Sequence, residues 1–293
     1  MNNIFKGSGV ALVTPFSADK SIDFNALRKL VQLQIEGGTD FLVVQGTTGE
    51  SPVLSWEEKM QVLKTVQDEN AGRLKIVFGV GGNNTMAIGE TLKNLPAGID
   101  GILSVSPYYN KPTQKGIVEH YKYIASCTDL PIILYNVPGR TGSNMLPETT
   151  LELAKVKNIV AMKEASGNME QIMELVRLKS EGFDILSGDD AITMPLIATG
   201  VSGVISVVAN AFPEKFNEMV HASINEDLPK ARRHHFDLLP VTKMLFEEGN
   251  PGGVKVALEA RGIMIADMRM PLQPVSEGLR NRIIEETKRL LNA

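Results

Sequence analysis

The feature that most constrains this chain is an alternation of short apolar runs with longer stretches of helical pattern. Eight runs rich in β-branched residues recur between residues 9 and 210, and each is followed by a segment with helix signals. The runs are 9–16, 40–46, 75–81, 101–107, 131–138, 159–166, 184–188 and 203–210. Nearly continuous apolarity in short runs is typical of parallel strands that are covered on both faces. The pattern therefore predicts an α/β fold, a (β/α)8 TIM barrel.

A doubly wound parallel sheet is the alternative fold for alternating strands and helices. That fold usually has fewer repeats and places a glycine-rich turn, G-x-G-x-x-G, after its first strand. The first apolar run here leads into Thr14, Pro15 and Phe16 instead, with no such turn. The number of repeats and the missing turn favour the barrel.

Helix signals lie between the apolar runs, where a barrel needs its outer helices. Ser55 followed by Glu58 has the spacing of a capping box, in which each side chain bonds the other residue's backbone. Pro147 and Pro213 suit the first turn of a helix, where a missing N–H costs little. Asp190 is a candidate cap for the helix that follows it.

The last part of the chain has a different character, because residues 225–293 contain no strand-like run. Helical periods remain there, and the Pro-Gly-Gly sequence at 251–253 predicts a break between helices. We therefore expect a catalytic barrel over 1–224 and a C-terminal helical extension over 225–293, packed on the barrel as one structural unit.

Composition and charge exclude several classes of protein. The 293 residues carry 30 Lys and Arg against 34 Asp and Glu, a net charge of −4, so no basic excess is present to bind nucleic acid. No apolar run reaches the roughly 18 residues of a membrane span, and residues 1–16 lack the pattern of a signal peptide. The single cysteine, Cys127, fits a reducing compartment. We expect a soluble cytoplasmic protein.

Lys163 is the sharpest chemical signal in the sequence. It lies in the sixth apolar run, where alternation puts it on one face with Ala161 and Ala165, and these small neighbours leave room inside a barrel. Desolvation disfavours the ammonium form and frees the amine as a nucleophile toward carbonyl carbon. The alternative is a lysine at a strand end that extends its amine to water.

Other polar groups follow the predicted strands, at the end of a barrel where active sites lie. Tyr135 ends the fifth run and could relay protons to an amine. Arg140 follows in a glycine-flanked loop and could bind a carboxylate with two hydrogen bonds. The turn with Thr47 and Thr48 could hold a small carboxylate. The alternatives are a core tyrosine at position 135, an exposed loop arginine at position 140 and an ordinary strand-to-helix turn at 47–48.

Metal and cofactor signatures are missing from the sequence. None of the histidines has the H-x-x-x-H spacing of a metal site, and Asp189 next to Asp190 is more typical of a helix cap than of a ligand pair. Serine-hydrolase and dinucleotide motifs are also absent. We expect no metal and no organic cofactor.

Four segments together resemble a known family. They are GTTGES at 46–51, YYNKP at 108–112, YNVPGRT at 135–141 and MKEAS at 162–166. In this order and spacing they are similar to the dihydrodipicolinate synthase family of Schiff-base-forming pyruvate aldolases. The resemblance implies a lyase, EC 4.3.3.7, that condenses pyruvate with L-aspartate-4-semialdehyde on the route to diaminopimelate and lysine. It also implies a homotetramer, a dimer of dimers.

The resemblance assigns four catalytic roles by position. It implies that Lys163 forms the Schiff base with pyruvate and that Tyr135 is the central proton relay. It further implies that Thr47 links Tyr135 to Tyr109, and that Tyr109 reaches into the site of a neighbouring subunit.

The resemblance also assigns substrate-binding positions. It implies that Thr48 helps to hold the pyruvate carboxylate and that Arg140 binds the carboxylate of the semialdehyde at the entrance. It further implies that the main chain at Gly188 and Ile205 lines the pocket.

The nearest rivals within this superfamily are N-acetylneuraminate lyase and the keto-deoxy sugar acid aldolases. They generally carry Ser-Thr in the second turn and lack an arginine at the position of Arg140. Thr47, Thr48 and Arg140 therefore favour the synthase over these rivals. A catalytically silent barrel is a further alternative, but it would be expected to lose the lysine, the tyrosine or the threonine.

A regulatory site for lysine is a known feature of part of this family. The positions that match it and remain suitable are Ser51, Trp56, Asn83 and Tyr108. Two matching positions are unfavourable, because Lys59 adds a cation and Ala87 stands where inhibited members have a glutamate. Glu57 and Glu90 are the nearby acids that could substitute. We predict weak or absent inhibition by lysine.

Overall fold

Eight parallel strands close into one barrel, in chain order, within residues 4–292, which are the residues that the computed structural model describes. The strands are β1 (Gly7–Ala11), β2 (Phe41–Val44), β3 (Lys75–Gly79), β4 (Gly101–Val105), β5 (Ile132–Asn136), β6 (Ile159–Glu164), β7 (Asp184–Ser187) and β8 (Gly203–Ser206). The barrel closes through β1, which pairs with β2 on one side and β8 on the other. The predicted TIM barrel is confirmed.

Helices follow the strands and cover the outside of the barrel. They are α1 (Phe24–Glu36), α2 (Trp56–Asn70), α3 (Thr85–Lys93), α4 (Gln114–Ala125), α5 (Pro138–Thr141), α6 (Pro147–Leu153), α7 (Met169–Leu178), α8 (Thr193–Ala198) and α9 (Pro213–Ile224). Every helix within residues 4–292 is too short or too polar to span a lipid bilayer.

Two apolar clusters fill the space on either side of the strands. Alternate residues of each strand point inward, as Ala161 does, or outward toward the helices, as Met162 does. The inner cluster has fewer residues than the outer one, and most of its side chains are aromatic or branched, such as Phe41 and Ile133. Because both faces are buried, the strands have the continuous apolar sequences from which they were predicted.

The first strand begins and ends earlier than the apolar run that predicts it. Residues 12–16 leave the sheet, yet Leu12, Val13 and Phe16 remain buried. Thr14 ties this segment to the turn after β2, since its hydroxyl donates to the carbonyl of Gly49 at 2.6 Å. A buried loop keeps an apolar sequence, and this is why hydrophobicity alone overestimates the strand.

The predicted helix starts are confirmed with one exception. Ser55 and Glu58 form the reciprocal capping box at the start of α2, and Pro147 and Pro213 occupy first turns. The prediction for Asp190 is wrong, because Asp189 is the residue whose side chain caps the short turn before α8. Asp190 is buried instead.

The Asp190 carboxylate binds the turn after β8 rather than a helix start. It accepts from the backbone N–H groups of Val207 and Val208 at 3.0 and 3.2 Å. Burial raises the pKa of Asp190 to about 6. Adjacent aspartates look alike in sequence, and only the position of the β8 turn distinguishes their roles.

Three helices follow α9 in the described part of the chain: α10 (Leu228–Glu247), α11 (Gly252–Ala260) and α12 (Glu277–Asn292). The predicted break lies between α10 and α11, although the two glycines belong to α11. Gly253 permits close contact with α10, since a Cβ there would lie 2.7 Å from Leu245 Cα. The division at residue 224 stays a prediction, and residues 1–3 and 293 lie outside the described residues.

Candidate active site

A cavity of about 710 Å³ opens at the carboxyl end of the barrel strands. Six residues that the sequence singled out line this one cavity: Lys163, Tyr135, Thr47, Thr48, Arg140 and Gly188. Parallel strands bring their carboxyl ends to one face of the barrel, so residues far apart in sequence meet there. The cavity is therefore the candidate active site.

Lys163 lies on the inside of the barrel and is only 5% exposed. It pairs in register with Tyr135 of the adjacent strand, and its Nζ lies 4.4 Å from the centre of the Tyr135 ring. The amine therefore faces the cavity beside a phenol instead of extending to bulk water. This is the environment that a nucleophilic lysine needs.

Gly188 provides the space that the lysine occupies. A Cβ added at Gly188 would lie 3.0 Å from Lys163 Cε and 2.6 Å from the Cβ of Ala165. A side chain larger than hydrogen at this position would displace the lysine stem. The glycine at the end of β7 therefore belongs to the construction of the site.

A buried hydrogen-bond network supports the strand ends that carry Tyr135 and Lys163. Asn136 and Glu164, the next residues along β5 and β6, pair in register, and Asn136 Nδ2 donates to Glu164 Oε2 at 3.0 Å. Gln171 Nε2 donates to the same oxygen at 3.0 Å. The buried network restricts motion of both strand ends.

The described residues hold no group of three or more His, Cys, Asp or Glu side chains suited to a metal ion.

Thr48 is held by a residue of the C-terminal extension. Its hydroxyl oxygen accepts a hydrogen bond from Asn250 Nδ2 at 2.9 Å, across 202 positions of sequence. Thr48 itself is buried, whereas Thr47 beside it is exposed toward the cavity. The two threonines of the turn thus have different environments.

The same turn is anchored by a buried ion pair that no local sequence pattern predicts. Glu50 has a left-handed backbone with φ of 56°, and its carboxylate binds the ammonium of Lys255 from α11. Lys255 Nζ also donates to the carbonyl of Asp267 at 2.7 Å and lies 4.4 Å from the Phe16 ring centre. Burial lowers the pKa of Lys255 to about 8, although Glu50 opposes that shift.

Arg140 lies on the short helix α5 at the rim, with an exposed side chain. Among residues 4–292, no carboxylate comes within ion-pair distance of its guanidinium. It lines both the main cavity and a smaller adjoining one of about 260 Å³. An unpaired guanidinium at this rim is available to a carboxylate ligand.

Two of the predicted residues lie apart from the main cavity. Tyr109 is 86% exposed and has a left-handed backbone with φ of 73°. Ile205 lies on β8 with its side chain in the inner apolar cluster. Neither residue is among those that line the cavity.

The positions matched to a lysine site are only partly grouped in the single chain. Ser51 and Tyr108 line the smaller cavity, and Asn83 Nδ2 donates to the carbonyl of Tyr108 at 3.1 Å. Trp56 is exposed at the start of α2 and does not line that cavity. Burial lowers the pKa of nearby Lys59.

The fold and the cavity define a class, namely the (β/α)8-barrel enzymes with a buried lysine positioned to attack a carbonyl group. A family model described as the dihydrodipicolinate synthetase family matches residues 4–290. The chain belongs to the dihydrodipicolinate synthetase family.

Relatives and solved structures agree with this assignment over the whole length. The 4-hydroxy-tetrahydrodipicolinate synthase of Flavobacterium psychrophilum is 49% identical over 288 residues, which cover 98% of each chain. The crystal structure of dihydrodipicolinate synthase from Aquifex aeolicus superposes with a TM-score of 0.94 at 42% identity and covers 98% of each chain. A further structure, of a monomeric dihydrodipicolinate synthase variant, has a TM-score of 0.94 at 40% identity and covers 97% of each chain.

Proposed function

We propose that this chain is a 4-hydroxy-tetrahydrodipicolinate synthase, a lyase of diaminopimelate and lysine biosynthesis that joins pyruvate to L-aspartate-4-semialdehyde. The observation that carries the proposal is the buried Lys163 beside Tyr135 in the cavity at the carboxyl end of the barrel. Relatives that match nearly the full length carry the synthase name, so the N-acetylneuraminate lyase and sugar acid aldolase alternatives are not favoured.

The reaction begins at the Lys163 amine. Its nitrogen attacks the ketone carbon of pyruvate, and the resulting carbinolamine loses water to give an iminium. We assign the proton transfers of these two steps to Tyr135, and the proximity of its ring to the amine supports this assignment. No separate cofactor is needed, because the iminium itself withdraws electrons from the pyruvate methyl group.

The carbon–carbon bond forms in the second stage. The methyl group of the iminium loses a proton, and the enamine carbon attacks the aldehyde carbon of the semialdehyde, whose oxygen takes up a proton. The amino group of the semialdehyde then attacks the imine carbon, closes a six-membered ring and releases the Lys163 amine. Walls that exclude water protect the enamine during these steps.

The two carboxylates are assigned to separate parts of the cavity. The buried Thr48 hydroxyl lines the cavity and accepts a hydrogen bond from Asn250 of the C-terminal extension. We assign it to the carboxylate of pyruvate. The unpaired guanidinium of Arg140 at the rim is assigned to the carboxylate of the semialdehyde. This arrangement holds the aldehyde on the open side of the enamine.

The proposal includes assembly and location. Tyr109 completes the hydroxyl relay of a neighbouring subunit in a homotetramer, which accounts for an exposed aromatic ring on a left-handed backbone. Because one solved relative is a monomeric variant, the oligomeric state of this chain has to be measured directly. A half-buried, unpaired Cys127 suits a reducing cytoplasm.

The test is reduction of the enzyme with borohydride in the presence of pyruvate, followed by peptide mass mapping. We expect one reduced pyruvyl group on the peptide that contains Lys163. Lys163→Ala should lose the adduct and the activity, whereas Lys157→Ala, an exposed lysine outside the cavity, should keep both. Adduct found only on another lysine would refute the assignment. Pyruvate consumption that depends on added semialdehyde distinguishes the synthase from a sialic acid lyase, which releases pyruvate.

A further inference from the structure

Two buried polar side chains stand on the outer face of β5 and β6, at the end of the barrel where the cavity opens. The preceding outward positions of these strands, Leu134 and Met162, are apolar and belong to the cluster under the helices. Asn136 and Glu164 follow them in register, and both are buried. A polar pair is stable at such positions only when its hydrogen bonds are satisfied, so its partners show what it holds in place.

The Glu164 carboxylate is bound by N–H donors alone. It accepts from the backbone N–H of Ser166 at 2.7 Å, and from Asn136 Nδ2 and Gln171 Nε2 at 3.0 Å each. Within residues 4–292, no basic side chain comes within ion-pair distance of it. Because every partner is a donor, a carboxylate satisfies this set, whereas a carboxamide has one acceptor oxygen and adds donors of its own.

Asn136 joins this carboxylate to the loop after α5, the short helix that carries Arg140. Its Nδ2 also donates to Asn144 Oδ1 at 2.8 Å, and its Oδ1 accepts from the backbone N–H of Met145 at 3.0 Å. Asn144 Nδ2 in turn donates to Gln171 Oε1 at 2.8 Å. The loop is thus tied to the same strand ends as the reacting groups.

The network therefore reaches three of the groups that the proposed function assigns to the reaction. Lys163 and Tyr135 each lie one residue before a member of the network, and Arg140 lies four residues before Asn144. A shift within the network moves the amine, the phenol and the guanidinium relative to one another. Small displacements of reacting groups reduce rates strongly.

We propose that Glu164 is a positioning residue, which keeps the Lys163 amine beside the Tyr135 phenol. Through Asn144 it also sets the position of the loop that follows Arg140. The inference rests on the proposed function, since it takes Schiff-base formation and carboxylate binding as the events that the network supports. Glu164 does not line the cavity and acts only through its neighbours.

The first measurement is the rate at which the borohydride-trapped adduct forms on Lys163 at saturating pyruvate. Glu164→Gln should lower this rate about tenfold, because its amide group faces the donors of its partners. Adding Gln171→Glu exchanges the two side chains, so that donor and acceptor are reversed along their hydrogen bond and the charge is kept. This double variant should return to within about threefold of the unmodified rate.

Asn158→Asp is the matched control, because Asn158 lies just before β6, at the opposite end of the strand from Lys163. Its Nδ2 donates to the carbonyls of Ala125 and Thr128 at 3.0 and 2.8 Å, so the variant also breaks hydrogen bonds and loses unfolding free energy. Its adduct rate should nevertheless stay within about twofold of the unmodified enzyme, since the reacting groups are not displaced.

Asn144→Ala tests the link to the loop by itself, at a half-buried position. We expect the KM for the semialdehyde to rise about fivefold, because the guanidinium of Arg140 is less well placed for its carboxylate. The rate of adduct formation on Lys163 should change by less than about twofold, because the bond between Asn136 and Glu164 remains.

Three results would overturn the inference. They are an adduct rate for Glu164→Gln equal to that of Asn158→Asp, no recovery of the rate in the exchanged pair, and an unchanged semialdehyde KM in Asn144→Ala. If Glu164→Gln does not fold, the KM of Asn144→Ala decides. If the unmodified enzyme forms no adduct on Lys163, the proposed function itself fails, which is a different result.

Discussion

The two sides of the active site are built in different ways. Lys163 and Tyr135 lie on adjacent strands, pair in register and are fixed by hydrogen bonds between the next residues of the same strands. Thr48 and Glu50 lie on a turn whose polar partners, Asn250 and Lys255, come from more than 200 positions later. The proposed reacting groups are thus positioned by local geometry, and a proposed substrate-binding group is positioned by tertiary contacts.

This difference has consequences for mutation. We call Lys163 and Tyr135 the strand side of the site, and Thr48 and Glu50 the turn side. Changes on the strand side should reduce catalytic activity and leave the fold intact, because the barrel does not depend on the reactive atoms. Changes on the turn side should reduce stability and substrate affinity together, because the same contacts support both.

The largest effects are expected for the hydroxyl groups of the strand side and its relay. Tyr135→Phe and Tyr109→Phe should each lower kcat by roughly 10²- to 10⁴-fold, the usual contribution of general acid–base groups. Mixed dimers of the two variants should recover part of the activity, because one of their two sites regains a complete relay. Steady-state rates of verified mixed dimers provide the measurement. If activity does not recover, the relay does not cross the subunit interface.

A large effect on stability is expected on the turn side. Lys255→Met leaves the Glu50 carboxylate buried without a cation, which costs about 3–5 kcal/mol of unfolding free energy. Urea unfolding gives this quantity, and the pyruvate concentration needed for half-saturation should rise as well.

The surface pair between Lys20 and Asp267 is the matched control for this variant. Lys20 is about half exposed, so Lys20→Met should cost no more than about 1 kcal/mol. Similar losses of unfolding free energy for Lys20→Met and Lys255→Met would contradict the special role of the buried pair.

A smaller and more selective effect is expected at the rim. Arg140→Ala should raise the KM for the semialdehyde about ten- to a hundredfold, since an ionic hydrogen bond contributes roughly 1.5–3 kcal/mol. Trapping of pyruvate on Lys163 should change by less than about twofold. An equal loss for both substrates would indicate that the variant damages the loop instead.

The smallest effect is expected for feedback by lysine. Ala87 provides no carboxylate for an amino group, and Lys59 adds a positive charge on α2 near the matched positions. We expect weak or no inhibition by L-lysine in an activity titration. Ala87→Glu should strengthen any inhibition about ten- to a hundredfold, through one ionic hydrogen bond. Half-inhibition of the unmodified enzyme at submillimolar lysine would refute this interpretation.

The sequence predicts the strand side well, for physical reasons. Burial on both faces leaves an apolar run, and strict alternation then places Lys163 inside the barrel without knowledge of any other strand. The Ser55 capping box is equally local. Patterns of this kind depend only on neighbours in the chain.

The turn side could not be predicted in the same way. Nothing near Glu50 indicates that a lysine from α11 neutralises it, and the role of Asp190 depends on where β8 ends. The sequence analysis also missed Thr242, Lys243 and Phe246, the residues of α10 that line the cavity. A helix that packs on the barrel has the same sequence pattern as one that lines a cavity. Long-range pairing of polar groups leaves no periodic signal.

The Glu50–Lys255 pair also has a consequence for the order of events during synthesis. Ribosomes add about 5–20 residues per second, so the 205 positions between the two residues correspond to a delay of roughly 10–40 s. During that interval the nascent barrel carries a carboxylate whose counter-charge has not yet been made. The ion pair that anchors this turn can therefore form only near the end of translation.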